Sequence, residues 1–153
     1  MATPQASPGL QLRVERTFTA PRATVFQAWT DPQKLSRWLG RATPQHQTEV
    51  LEFDLRVGGR YRMHITSPEG KLYHLGGTYR EILPPEKLVF TWSCEEDPDS
   101  RDTLVTVEFH DLKQFTRVVL RHERFLGETS RDGHQQGWSA CFDTLETLVG
   151  ASS

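Results

Sequence analysis

The sequence predicts an α+β protein in which a curved antiparallel sheet wraps around one long C-terminal helix, with two short helices after the first strand. Three observations carry this. Apolar and polar residues alternate through most of the middle of the chain, the mark of half-buried strands. Only the last segment keeps apolar residues at helical spacing over several turns: Trp138, Phe142, Leu145 and Val149. A single antiparallel sheet cannot bury its apolar face alone, so it must curl over that helix.

In chain order, 1–9 is small, polar and Pro-containing and reads as a disordered lead-in to one domain over 10–150. Leu10, Leu12 and Val14 alternate with Gln11, Arg13 and Glu15, which gives a first strand over Leu10–Phe18. Pro21 suits a helix start, and Val25, Ala28 and Trp29 form its apolar stripe. Asp31-Pro32 reads as a cap and restart for a second helix carrying Leu35, Trp38 and Leu39, which Gly40 ends.

Six strands are expected next: Glu49–Leu55, Arg60–Thr66, Leu72–Ile82, Leu88–Ser93, Thr103–Phe109 and Thr116–Phe125. In them Leu51 shares a face with Phe53, Tyr61 and Met63 with Ile65, and Tyr73 and Leu75 with Gly77 and Tyr79. Pro84-Pro85 turns the chain into Leu88, Phe90 and Trp92. A hairpin about Leu112 and Lys113 sets Val105, Val107 and Phe109 against Val118, Leu120 and His122. The closing helix spans Ser130–Leu148, capped by Thr129 or Ser130 and stopped by Gly150.

Composition narrows the function. The 153 residues carry 18 Lys and Arg against 20 Asp and Glu, so no basic excess favours nucleic acid. No apolar run reaches the length of a membrane span and no secretory leader is visible, which places the protein in the cytoplasm. Cys94 and Cys141 lack metal-site spacing and read as reduced, packed thiols, with a single disulfide between them as the alternative. No phosphate loop or catalytic signature appears, so no cofactor and no metal is called for.

Four Trp, eight Phe and three Tyr remain to be explained. Each aromatic alone is ordinary core; as a set they exceed what a small sheet-on-helix core needs. Gly76, Gly77 and Gly137 remove side chains inside elements, where glycine costs about 0.5–1 kcal/mol relative to Ala. They mark useful space, or else a bulge and a close helix–sheet contact. The expected ligand-binding residues are Trp29, Trp38, Phe53, Tyr61, Met63, Leu75, Gly77, Tyr79, Phe90, Trp92, Phe109, Leu120, His122, His134, Trp138 and Phe142. His122, sent inward by alternation, is either a satisfied core histidine or a catalytic base paired with Tyr61 or Tyr79. His134 lies on the helix face of Trp138, while His64 and His74 fall on the sheet's outer side.

The stretches FTAPRATVFQAWTDPQKLSRWLG, GGTYREILPPEKLVFTW, TRVVLRHERF and DGHQQGW resemble the Bet v 1-like or START-like helix-grip superfamily. Within it they are similar to the bacterial branch named for the C-terminal domain of the Hsp90 ATPase activator. The resemblance runs from about Leu10 to Val149. It implies a helix-grip fold with an internal cavity for a small hydrophobic or aromatic ligand. Relatives include lipid carriers, plant hormone receptors and polyketide aromatase/cyclases, so a binding protein, a cyclase-like or hydrolase-like enzyme, and a chaperone partner in stress response are all implied. The chain has no room for the activator's separate N-terminal domain. It also departs at one motif: relatives often carry Gly before the last residue of HxGF, where this chain has Arg124 in HERF.

Overall fold

The computed structural model describes residues 10–41 and 43–149. β1 (Leu10–Phe18) leads into α1 (Arg22–Thr30) and α2 (Pro32–Leu35). Six strands follow: β2 (Gln47–Phe53), β3 (Arg60–Thr66), β4 (Leu72–Leu83), β5 (Lys87–Cys94), β6 (Thr103–Asp111) and β7 (Thr116–Phe125). A single 3-10 turn, Pro98–Ser100, separates β5 from β6, and α3 (Glu128–Val149) closes the chain. The 7-stranded sheet has the order β1-β7-β6-β5-β4-β3-β2, and every neighbouring pair is antiparallel. The expected curved sheet, long C-terminal helix and two short helices are therefore present. The lead-in expected at 1–9 and the stop at Gly150 lie outside the described residues.

Alternation decides which side chains reach the core. Val105 pairs with His122, Val107 with Leu120 and Phe109 with Val118, and all six are at most 2% exposed. Lys113 turns this hairpin with a φ of 77°. In α1, Val25, Ala28 and Trp29 are buried as their spacing requires, with Phe26 beside them. Asp31 caps α2 by accepting from the Gln33 N–H at 3.0 Å.

Three local expectations fail for identifiable reasons. The second helix ends at Leu35, so Trp38 and Leu39 sit in the turns beyond it, and Gly40 follows at a φ of 78°. A Cβ there would run into the Ile65 side chain, so glycine is needed for space as well as conformation. Leu51 does not share the inner face with Phe53. The β2–β3 register shifts between Val50 and Glu52, and this bulge leaves Leu51 42% exposed. Finally, α3 begins at Glu128, which puts Thr129 and Ser130 inside the helix rather than at its cap.

Arg124 gives the departure from HxGF a physical meaning. Its φ is 77°, and the β1–β7 register shifts between Leu10 and Leu12 opposite this part of β7. The extra residue lets both His122 and Phe125 face inward although they are three apart; their rings lie 4.3 Å from centroid to centroid. A left-handed conformation costs an L-residue about 1–2 kcal/mol, and glycine avoids most of that. Arg124 is exposed, so its side chain does little to offset the strain. Arg124→Gly should accordingly raise the unfolding free energy by roughly 1 kcal/mol, seen as a higher urea midpoint at unchanged m-value.

Candidate functional site

Between β3, β4, β5 and α3 lies a cavity of about 520 Å³. It exists because the two ends of the sheet's inner face are filled differently. Toward one end Tyr61, Tyr79 and Phe90 pack on each other with ring centroids 5.6–5.9 Å apart, and Phe53 closes on Tyr79 at 6.0 Å. Toward the other the inner positions are Ile65, Tyr73, Leu75 and Cys94, which leave room. The helix opposite contributes Ser130, Gly133, His134, Gly137, Trp138 and Cys141. A Cβ added at Gly133 or Gly137 would meet no atom within 4 Å. Gly137 therefore marks open space, whereas a Cβ on Gly77 would strike the Thr91 carbonyl, so that glycine serves a close backbone approach.

The expected site residues divide accordingly. Leu75, Trp92, His134 and Trp138 line the cavity. Trp29, Tyr61, Met63, Tyr79 and Phe90 instead surround a void of about 10 Å³, room for at most one water. Trp38, Phe109, Leu120, His122 and Phe142 are packed core at 0–2% exposure, Phe53 is half-buried, and Gly77 lies against β5. Sequence reading missed Leu39, Gly40, Ile65, Tyr73 and Gly133 on the walls, both cysteines, and Asp97, Asp99 and Thr129 near the entrance. The period of two already carried Ile65 and Tyr73 inward, so extending the face one step would have found them. Asp97 and Asp99 sit in an irregular segment and give no periodic signal.

Two histidines connect the walls, His122 fully buried and His134 half-buried. Trp138 donates its indole N–H to His122 Nδ1 at 3.0 Å. Thr103 donates its hydroxyl to the Trp92 carbonyl at 2.7 Å, so its oxygen accepts from His122 Nε2, also at 2.7 Å. Both imidazole nitrogens are thus engaged inside the protein, and His122 has no free nitrogen to act as a base on a ligand. Trp92 donates to His134 Nε2 at 3.2 Å, which leaves His134 Nδ1 to donate to the Ser130 carbonyl at 2.8 Å. Burial holds the His122 pKa well below 6.5, and the His134 ring pushes the same way. Burial also lowers His134, against opposing effects of the Ser130 carbonyl and the Asp97 carboxylate.

The remaining polar candidates are occupied or lie elsewhere. Tyr61 donates to the Thr91 carbonyl at 2.6 Å, and burial raises its pKa well above 10. Burial also pushes each cysteine thiol up to about 11, so both are free and protonated at neutral pH. His64 and His74 face each other on the sheet's outer side, ring centroids 4.6 Å apart. There Glu96 binds both the backbone N–H and the ring of His74, at 2.7 and 2.6 Å. His74, Glu95 and Glu96 have potential ligand atoms within 4.8 Å of one another, and none of the three lines the cavity.

A curved sheet gripping a long helix around an apolar chamber defines a helix-grip protein of the Bet v 1-like superfamily, a ligand-binding fold. The chain belongs to the family described as Activator of Hsp90 ATPase homolog 1-like protein, whose model matches residues 19–150. A crystal structure from Chromobacterium violaceum is 27% identical with a TM-score of 0.83, covering 92% of this chain and 96% of that one. An AHSA1-like protein from Aeromonas hydrophila, solved by NMR, is 26% identical with a TM-score of 0.76, covering 94% of each chain. A Mycobacterium smegmatis structure shares the fold at 23% identity and a TM-score of 0.76, covering 91% and 90%. No curated protein matches the chain. No helix among the described residues is long and apolar enough to cross a membrane.

Two measurements follow from the histidines. Both have folded pKa values below the unfolded 6.5, so the unfolded chain binds more protons as pH falls from 6.5 toward those values. Stability should be full above about pH 6.5 and decline below it, by up to about 1.4 kcal/mol per pH unit for each histidine. His122→Phe should flatten that slope in pH-dependent urea unfolding. Trp138→Phe keeps most of the ring but orphans His122 Nδ1, and should cost about 1–3 kcal/mol in the same assay.

Proposed function

We propose that the protein binds a small apolar or aromatic molecule in the cavity between the sheet and α3. The observation that carries this reading is the cavity itself. Its volume of about 520 Å³ falls within the 300–1,000 Å³ common for small-molecule sites. It is apolar and aromatic in its walls, from Ile65, Leu75, Trp92 and Trp138, and it holds few polar groups to orient a ligand. Gly133 and Gly137 support the reading further. Two glycines in a helix cost roughly 2 kcal/mol in propensity, a cost the fold carries where a side chain would fill the space. Binding rather than turnover is favoured, because His122 is fully used in holding the walls together.

The test uses a neutral fluorophore, N-phenyl-naphthylamine. Bound inside, it sits within energy-transfer range of Trp92 and Trp138, so titration should quench tryptophan emission and raise probe emission together. Gly137→Leu should weaken probe affinity by about tenfold or more while leaving the unfolding midpoint unchanged or raised. If the probe leaves the emission untouched, or Gly137→Leu costs the 1–3 kcal/mol of an overpacked core, the cavity is not a binding site.

A further inference from the structure

The cavity is lopsided in charge, and that asymmetry specifies its ligand more closely. Asp97 and Asp99 are the ionisable acids among its lining residues, and no lysine or arginine lines it. Both lie at the exposed end: Asp99 is exposed and Asp97 partly so, whereas Trp92, Trp138 and Cys141 deeper in are buried. Asp97 is fixed in place, because one of its oxygens accepts from the Ser130 hydroxyl at 2.6 Å. That bond leaves its other oxygen available, and Asp99 accepts no hydrogen bond through its side chain among the described residues.

No lysine or arginine of the neighbouring segments lines this end, neither Arg101 beside the 3-10 turn nor Arg41 next to Gly40. Lys71 is exposed, stands over the Tyr73 ring at 5.0 Å and is not a lining residue. Arg131, on the same turn of α3 as Ser130, is paired with Asp132 at 2.9 Å. His134 comes within 3.9 Å of Asp97, but its Nδ1 is committed to the Ser130 carbonyl and burial keeps it neutral. The same cavity is lined by the rings of Tyr73, Trp92 and Trp138, and aromatic faces attract cations as well as apolar groups.

We infer that the ligand is an organic cation, an apolar or aromatic body carrying an amine, with the body between the sheet and α3 and the ammonium at Asp97 and Asp99. This rests on the cavity reading above and adds the sign of the ligand's charge. A fatty acid or other carboxylate would meet two like charges at the entrance and no lining guanidinium or ammonium to offset them.

Three molecules with one apolar body separate the possibilities: naphthylmethylammonium, naphthylmethanol and naphthoate, each titrated against the wild-type protein by calorimetry. The ammonium should bind about tenfold more tightly than the alcohol, and the carboxylate more weakly than either. Asp97→Asn with Asp99→Asn keeps an acceptor for the Ser130 hydroxyl and removes both charges. That double variant should erase the difference between ammonium and alcohol and leave the alcohol's Kd unchanged. In the wild-type protein, added salt should shrink the same difference, a readout that does not depend on how the variant folds. If the alcohol or the carboxylate binds as tightly as the ammonium, the charge assignment is overturned and the cavity reading stands. If none of the three binds, both fall.

Discussion

Trp138 on α3 donates its indole N–H to His122 on β7, and the packing between helix and sheet is arranged around that bond. From His122 the path runs through the Thr103 hydroxyl to the Trp92 carbonyl. The Trp92 indole then returns it to α3 at His134, which closes on the Ser130 carbonyl. Five hydrogen bonds among six residues thus form a circuit that leaves the helix and comes back to it. A satisfied buried bond contributes only about 0.5–1.5 kcal/mol net, but each orphaned group would cost about 1–3. The circuit therefore fixes the helix at one height above the sheet. Large side chains fill the gap where the sequence supplies them, and it stays open where the sequence supplies glycine.

A second anchor fixes the far half of the helix. Arg16 on β1 reaches Asp143 and Glu146 at 2.9 and 3.2 Å and the Ser139 carbonyl at 3.3 Å. Phe142 and Leu145 lie beneath this half at 0% exposure, with Phe18 edge-on to Phe142 at 5.7 Å. One end of α3 is bound by apolar contact and the other by indole–imidazole bonds around an open chamber. The division explains why aromatic residues that look alike in the sequence have different duties. Trp38 fills core and donates to the Ala28 carbonyl; Trp92 and Trp138 are walls.

Most of the fold was legible in the sequence because it rests on periodicity. Strand alternation fixed the inner faces of β1, β3, β6 and β7, and the helical spacing of Trp138, Phe142, Leu145 and Val149 fixed α3. The misses are of two kinds: helix ends, such as Leu35 and Glu128, which periodicity does not mark, and places where one residue breaks a period. The bulge at Leu51 is invisible because leucine suits either face of a strand. The bulge at Arg124 is visible only as a departure from HxGF. The site was less legible. Alternation says that Tyr61 and Tyr73 both point inward, but not that one end of the sheet is crowded and the other vacant. That depends on register with β5 and on the height of α3. The entrance acids were out of reach, since Asp97 and Asp99 are placed by a 3-10 turn and by a helix residue remote in the chain.

The glycines of α3 have an effect on the helix that holds them. Gly133 and Gly137 fall in its first half, where the peptide groups face the chamber with no side chain of their own between. Its second half, from Cys141 to Val149, is seated on the core. Amide protons along this one helix should then exchange with solvent at graded rates, fast from Glu128 to Gly137 and slow beyond, because the first half can fray while the second stays docked. On that side the helix is tied to the rest of the fold by the polar bonds of Ser130 and His134 more than by core packing, and local opening would have to break those bonds. A molecule could enter there by local opening, with the sheet and the rest of the core left intact.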